Sequence, residues 1–173
     1  MKIPSNESNP VGAFGAALGK GLIAGLVGTA AITLSQSIER KITGKPTNFA
    51  PGDAASKALD IEASKMEARK KFSDEVNWVY GTSWGSVRGM LSLIGLKGLP
   101  ASTLHWAAVF YTAITIEPDF EVAPPINEWS KKSIAMFALH HVIYAAAAGL
   151  VYDAIDKKKM VSREDPALPD SNQ

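Results

Sequence analysis

Four stretches of the chain carry at most one charged residue each, and they are apolar on every side of a helix. They cover residues 11–38, 76–96, 99–116 and 133–154. A hydrocarbon layer about 30 Å thick needs roughly 20 helical residues to cross it, and each stretch meets or nearly meets that length. The pattern therefore predicts an all-α integral membrane protein, a four-helix transmembrane bundle.

A soluble helical domain is the alternative explanation of the same stretches. A helix on the surface of a soluble protein shows an apolar stripe on one face and charged residues on the other. The third and fourth stretches read LPASTLHWAAVFYTAITI and SIAMFALHHVIYAAAAGLVY and show no such division. Strands are disfavoured because alanine and glycine dominate and no alternation of period two occurs.

The remaining segments are polar. Residues 1–10 and 156–173 are predicted to be flexible tails. Between the first two spans, Asp53 stands at a helix N-cap position before AASKALDIEASKMEARKKF, which predicts one amphipathic extramembrane helix at about 54–72. This helix either contacts lipid headgroups or is a solvated connection. Gly98 and Pro100 predict a tight antiparallel hairpin between spans two and three.

Composition narrows the class of protein further. The 173 residues include 18 Lys and Arg, 17 Asp and Glu, and no Cys. The balanced charge and the lack of a basic stripe exclude a broadly basic nucleic-acid binder. The lack of Cys excludes disulfides and thiol chemistry. The expected partners are the lipid bilayer and a second copy or another membrane protein, and the basic residues divide too evenly between the two sides to fix an orientation.

Glycines recur at helical spacing in the first two spans. Small residues four positions apart let two membrane helices approach closely, so these positions are predicted to be helix-packing surfaces within the bundle or between copies of the chain. The predicted packing residues are Gly21, Gly25 and Gly28 in span one and Gly81, Gly85 and Gly89 in span two.

Charged and ionisable residues at membrane depth predict a polar intramembrane site. Antiparallel threading brings Arg88 to the same side of the bundle as Asp153 and His105, which predicts an Arg88–Asp153 ion pair with His105 nearby. The pair either fixes the helix register or lines a polar cavity. His140 and Tyr144 are four residues apart and are predicted to form a second polar cluster on one helix face.

No catalytic residue, cofactor or metal ligand is predicted. His105 and His140 lie near opposite membrane sides, on the order of 10 Å apart along the bundle axis, which disfavours a haem held by both. A metal or paired-acid site at Glu117, Asp119 and Glu121 is disfavoured because acidic residues are common in proline-rich loops.

Several segments together resemble uncharacterised bacterial four-span membrane proteins of the YagU-like kind, over roughly residues 20–155. The similar segments are GLIAGLVGTAAITLSQSIERKITGK, the helical insert before NWVYGTSWGSVRGM, the Pro124-Pro125 pair and HHVIYAAAAGLVYD. The resemblance implies a multi-pass protein of the bacterial inner (plasma) membrane. It supplies no catalytic residues.

These observations support three hypotheses about function. The first is a non-enzymatic helix-packing, accessory or scaffold protein. The alternative is a channel or transporter for protons, ions or a small solute that uses Arg88, His105, His140 and Asp153. The third is a membrane enzyme or redox protein.

Overall fold

The computed structural model describes residues 9–46, 49–61 and 65–164, with side chains described as far as residue 157. Within these ranges the chain forms five α-helices, one short 3-10 helix and no strand, which confirms the all-helical prediction. The helices are α1 (Pro10–Thr43), α2 (Ala50–Leu59), α3 (Met66–Leu93), α4 (Gly98–Asp119) and α5 (Lys131–Glu164), and the 3-10 helix is Ile126–Glu128.

Two helices are long and apolar enough to cross a membrane. They are α1 and the part of α5 that covers Lys131–Lys157. The structure thus supports membrane association through two helices by length and composition, and four spans are not established by this criterion.

The two long apolar helices and α3 form the centre of the fold. α1 lies antiparallel to α3, so that Ala17 is opposite Gly89 and Thr29 is opposite Gly81. α1 is also antiparallel to α5, because Lys20 in the first half of α1 pairs with Asp156 in the last part of α5, at 2.6 Å.

α4 completes an up-and-down bundle. It packs mainly on α5, with Ser102 beside Gly149 near its start and Phe110 against Phe137 further along. We call the end with the α3–α4 connection (residues 94–97) the hairpin end. The opposite end, with α2 and the α4–α5 connection (residues 120–130), is the loop end.

The α3–α4 connection confirms the predicted tight hairpin. α3 ends at Leu93 and α4 begins at Gly98, after a turn in which Gly95 has φ 85° and Gly98 has φ 59°. Both values lie in the left-handed region that favours glycine. Four residues therefore reverse the chain direction and place α3 and α4 side by side.

The prediction of a single extramembrane helix at 54–72 is wrong. α2 ends at Leu59 because Asp60 adopts a left-handed conformation (φ 54°), and residues from Met66 onward belong to α3. Asp53 is not the N-cap, since α2 begins three residues earlier at Ala50. Instead its carboxylate accepts two hydrogen bonds from Arg69, which folds α2 back against the start of α3.

The predicted boundaries at the chain ends also change. Asn9 caps α1 by accepting a hydrogen bond from Gly12 N at 3.1 Å, so the helix begins at Pro10, and residues 1–8 lie outside the described part of the chain. α5 extends to Glu164, so residues 156–164 are helical rather than part of a flexible tail. The rest of the predicted tail, residues 165–173, lies outside the described residues.

Candidate functional site

Glycines bring the backbones of α1 and α3 into direct contact. A Cβ atom added to Gly21 would lie 2.5 Å from Gly85 O, and one added to Gly25 would lie 2.8 Å from Gly85 Cα. Neither neighbour is a side chain that can move aside. Any larger residue at these positions would push the helices apart, so the glycines set the distance between α1 and α3.

The other predicted packing glycines also lie at close contacts between helices, but one of them contacts α5 rather than the α1–α3 interface. Gly89 faces the Ala17 carbonyl and Gly81 faces the Thr29 side chain, both across the α1–α3 contact. Gly28 instead faces α5, where a Cβ would lie 2.8 Å from the Tyr144 ring. All six glycines therefore make contacts within one chain.

Near the hairpin end, α3 and α5 are joined by a buried ion pair. Arg88 is fully buried, and its Nη2 donates to the carboxylate of Asp153, which is 28% exposed. The guanidinium lies over the Tyr152 ring, 4.7 Å from its centroid. Ser92 donates to Gly89 O, so Tyr152 OH donates to Ser92 Oγ at 2.5 Å. The predicted Arg88–Asp153 pair is thus present in the structure.

His105 joins α4 to the same region. It is fully buried, and its Nε2 donates to the Trp84 carbonyl at 3.0 Å. Trp84 lies one helical turn before Arg88 on α3, and its carbonyl points along the helix toward the turn that carries Arg88. The structure therefore brings together Arg88, His105 and Asp153. We call these three residues with Tyr152 the hairpin-end cluster.

His140 and Tyr144 do not form the predicted joint cluster. Tyr144 OH donates to Gly81 O at 2.5 Å and so joins α5 to α3. His140 turns to α1, where Nδ1 lies 2.8 Å from Ser35 Oγ and Nε2 lies 2.8 Å from a carboxylate oxygen of Glu39. Residues four apart on one helix share a face, but the neighbouring helices offer each of them a different partner.

The Ser35–His140–Glu39 connection has the order of a hydrolase triad. A carboxylate that accepts from Nε2–H leaves Nδ1 free to accept a proton from Ser35 Oγ. However, Ser35 lies in the interior of α1, where the backbone N–H groups already bond to carbonyls one turn earlier. In the described part of the chain, the backbone N–H groups beside Ser35 are therefore not free to stabilise an oxyanion, which an acyl-transfer site requires.

Glu117 is a buried acid at the loop end, near the end of α4. It is 7% exposed, and no hydrogen bond or ion pair of its carboxylate is seen in the described ranges. Removal from water raises the pKa of Glu117 to about 7. Asp119 and Glu121 are not drawn into a site with it, since the described residues contain no group of three or more acidic or histidine residues suited to a metal ion.

Three residues of these polar connections are not predicted as site residues from the sequence alone. They are Ser35, Glu39 and Tyr152. Ser35 and Glu39 are four residues apart near the end of the first span, which is the spacing of two groups on one helix face. That signal exists in the sequence, but a serine and a glutamate at this spacing are common, and only the position of α5 shows that His140 lies between them.

Comparisons with protein-family models, with curated proteins and with solved structures find no match to this chain. The similarity to YagU-like proteins therefore stays a resemblance of residues and motifs.

Proposed function

We propose that this chain is a four-span membrane protein of non-enzymatic type, a scaffold or accessory protein that acts through helix packing. The observation that carries the membrane placement is an inverted distribution of side chains. Among the described residues, the largest fully buried ones are Arg88, Tyr152, His105, Thr29 and Ser73. A water-soluble protein of this size buries leucine, isoleucine and phenylalanine instead.

Many large apolar side chains lie on the outside of the four long helices. Val79 of α3, Leu99 and Tyr111 of α4 and Leu150 of α5 are between 66 and 80% exposed. Apolar surface that surrounds a bundle is unfavourable in water but suits hydrocarbon. The outer surface of α3 and α4 therefore supports the placement of these helices in lipid beside α1 and α5.

The packing supports four spans rather than two. α1 contacts α3 from Ala17–Gly89 to Thr29–Gly81, so residues 81–89 lie at the same depth as residues 17–29. α4 runs alongside α5 from Ser102–Gly149 to Phe110–Phe137. If α1 and α5 cross the bilayer, these segments of α3 and α4 lie within it, which favours four spans.

The distribution of polar groups supports a packing role over conduction. Arg88 and Asp153 bond to each other near the hairpin end, and Ser35, His140 and Glu39 bond to one another toward the loop end. Between them lie the glycine contacts of α1 with α3 and the Tyr144–Gly81 bond. We propose an inner-membrane location because the resemblance to YagU-like proteins implies it.

The number of spans is tested by cysteine labelling, since the chain has no native Cys. Lys45→Cys and Ser130→Cys report the loop end, and Lys97→Cys reports the hairpin end. With four spans, a membrane-impermeant thiol reagent added to sealed vesicles labels the first two variants from one side and Lys97→Cys from the other. Labelling of all three from the same side would reduce the count to the two spans α1 and α5.

The non-conducting role is tested in proteoliposomes. We expect vesicles that contain the purified chain to hold proton and potassium gradients as well as empty vesicles do. A flux that Arg88→Gln abolishes, while Lys71→Gln on the exposed part of α3 leaves it unchanged, would replace the scaffold proposal with the channel alternative.

A further inference from the structure

Three buried polar atoms in the hairpin-end cluster have no hydrogen-bond partner among the described residues. They are Nε and Nη1 of Arg88 and Nδ1 of His105. Both side chains are fully buried. Buried donors and acceptors in native proteins are nearly always paired, and hydrocarbon around a bundle increases the cost of leaving them unpaired.

One of these atoms, Arg88 Nε, lies close to Gly149 of α5, which has no side chain. A Cβ atom at Gly149 would lie 4.0 Å from Arg88 Nε and in collision with Ser102 Oγ. The absence of a side chain at residue 149 lets the Ser102 hydroxyl enter the same region from α4. Ser102 and His105 are three residues apart on α4 and so share a helix face.

The chemistry of the unpaired atoms selects the ligand. Arg88 Nε and Nη1 are donors and require an acceptor. His105 already donates from Nε2 to Trp84 O, so in its neutral form Nδ1 has a lone pair and requires a donor. A fully deprotonated anion only accepts hydrogen bonds, and a metal cation is repelled by Arg88. Water both accepts and donates.

We propose that Arg88, Ser102 and His105 form a buried water-binding site between α3, α4 and α5. Water accepts from the guanidinium and donates to His105 Nδ1, with the Ser102 hydroxyl as a further partner. Asp153 is partly exposed at the hairpin end and forms the route by which water exchanges. Tyr144 packs against the His105 ring with 5.6 Å between the ring centroids and donates to Gly81 O, so it closes the site toward the loop end and water enters from the hairpin end only.

The site is tested on the full chain in lipid nanodiscs by nitrogen-15 NMR of the histidine rings. We expect the His105 Nδ1 resonance at the position of a hydrogen-bonded lone pair and magnetisation transfer from water to this ring. His141, whose Nδ1 donates to Phe137 O at 2.8 Å, is the internal comparison. His140→Gln and His141→Gln assign the three rings. A His105 ring without water transfer, and with Nδ1 at the position of a free lone pair, would overturn the proposal.

A paired substitution tests which residues hold the water. Ser102→Gly combined with Gly149→Ala replaces the hydroxymethyl group of α4 by a methyl group from α5 beside Arg88 Nε. We expect water transfer to His105 to fall to the level of His141. Thr103→Ala, which removes an exposed hydroxyl from the next residue of α4, is expected to leave the transfer unchanged. Equal transfer in the paired variant and in the wild type would show that the water lies elsewhere.

Discussion

α3 has two different interfaces in one helix. Toward α1 it presents Gly81, Gly85 and Gly89. The contact is backbone against backbone at Gly85 and Gly89, and Gly81 meets the Thr29 side chain. Toward α4 and α5 it presents Arg88 and the Trp84 carbonyl, and the contact is made by polar side chains. The first interface is made mostly of backbone atoms, which cannot move without moving a helix, so it depends chiefly on shape. The second depends on each polar group finding a partner, so it responds to changes of charge and hydrogen bonding.

The largest effect is expected from Gly85→Leu at the backbone interface. The new side chain would collide with the Gly21 carbonyl and with Gly25 Cα, and neither can move without separating α1 from α3. We expect the free energy of unfolding in detergent to fall by more than about 3 kcal/mol. Gly15→Leu is the matched control, because a Cβ at Gly15 meets nothing within 4 Å. Equal losses in the two variants would show that α1 and α3 do not pack through Gly85.

A smaller loss is expected from Asp153→Asn at the side-chain interface. The substitution keeps the shape but leaves the buried Arg88 charge without its partner, at a cost of about 2–3 kcal/mol, since Asp153 retains some contact with solvent. The double variant Arg88→Met, Asp153→Asn is expected to recover part of this loss, because no charge is then left unpaired. A double-mutant cycle measured by unfolding checks the coupling, and strictly additive losses would contradict it.

An effect of similar size is expected from the pH dependence contributed by Glu117, one residue beyond the third predicted span. Burial raises its pKa from 4.5 to about 7 in the folded chain. The folded state therefore binds a proton that the unfolded state has released between these values, so stability is full below about pH 4.5 and declines as the pH rises to about 7. We expect Glu117→Gln to remove this decline, which is on the order of 3 kcal/mol over the whole interval, because each pKa unit corresponds to about 1.4 kcal/mol. Glu75→Gln, an exposed acid on α3, is the control, and an unchanged pH profile in Glu117→Gln would contradict the assignment.

The two interfaces of α3 differ in how far their contacts can be predicted from the sequence. The glycine spacing predicted a packing surface, and antiparallel threading placed Arg88 near Asp153, because both follow from helix geometry and chain direction alone. The partners of His140 and Tyr144 were not predictable, since they depend on how α5 is rotated against α1 and α3. The sequence does not predict the end of α2 at Asp60, because apolar residues at helical spacing continue beyond this residue. The change of chain direction after α2 is favoured by the docking of α2 on α3.

The smallest effect is expected at the docking contact of α2, outside the bundle. Arg69 donates to Asp53 through Nε at 2.8 Å and Nη2 at 2.5 Å and also lies over the Phe49 ring. Both partners are partly exposed, so Asp53→Asn is expected to cost only about 0.5 kcal/mol.

The contact should nevertheless matter locally, because α2 has few other anchors. Gly52 lies against Ser73 and Lys57 Nζ donates to Phe120 O at 2.7 Å. We expect Asp53→Asn to speed amide hydrogen exchange in residues 50–59 while exchange in α1 stays unchanged. The exposed Lys71–Glu75 pair on α3 provides the control, and Lys71→Gln should leave exchange in α2 at the wild-type rate. Slow exchange of α2 in Asp53→Asn would show that Gly52 and Lys57 suffice to hold it, and that docking outside the bundle depends on close backbone approach, as at the α1–α3 interface.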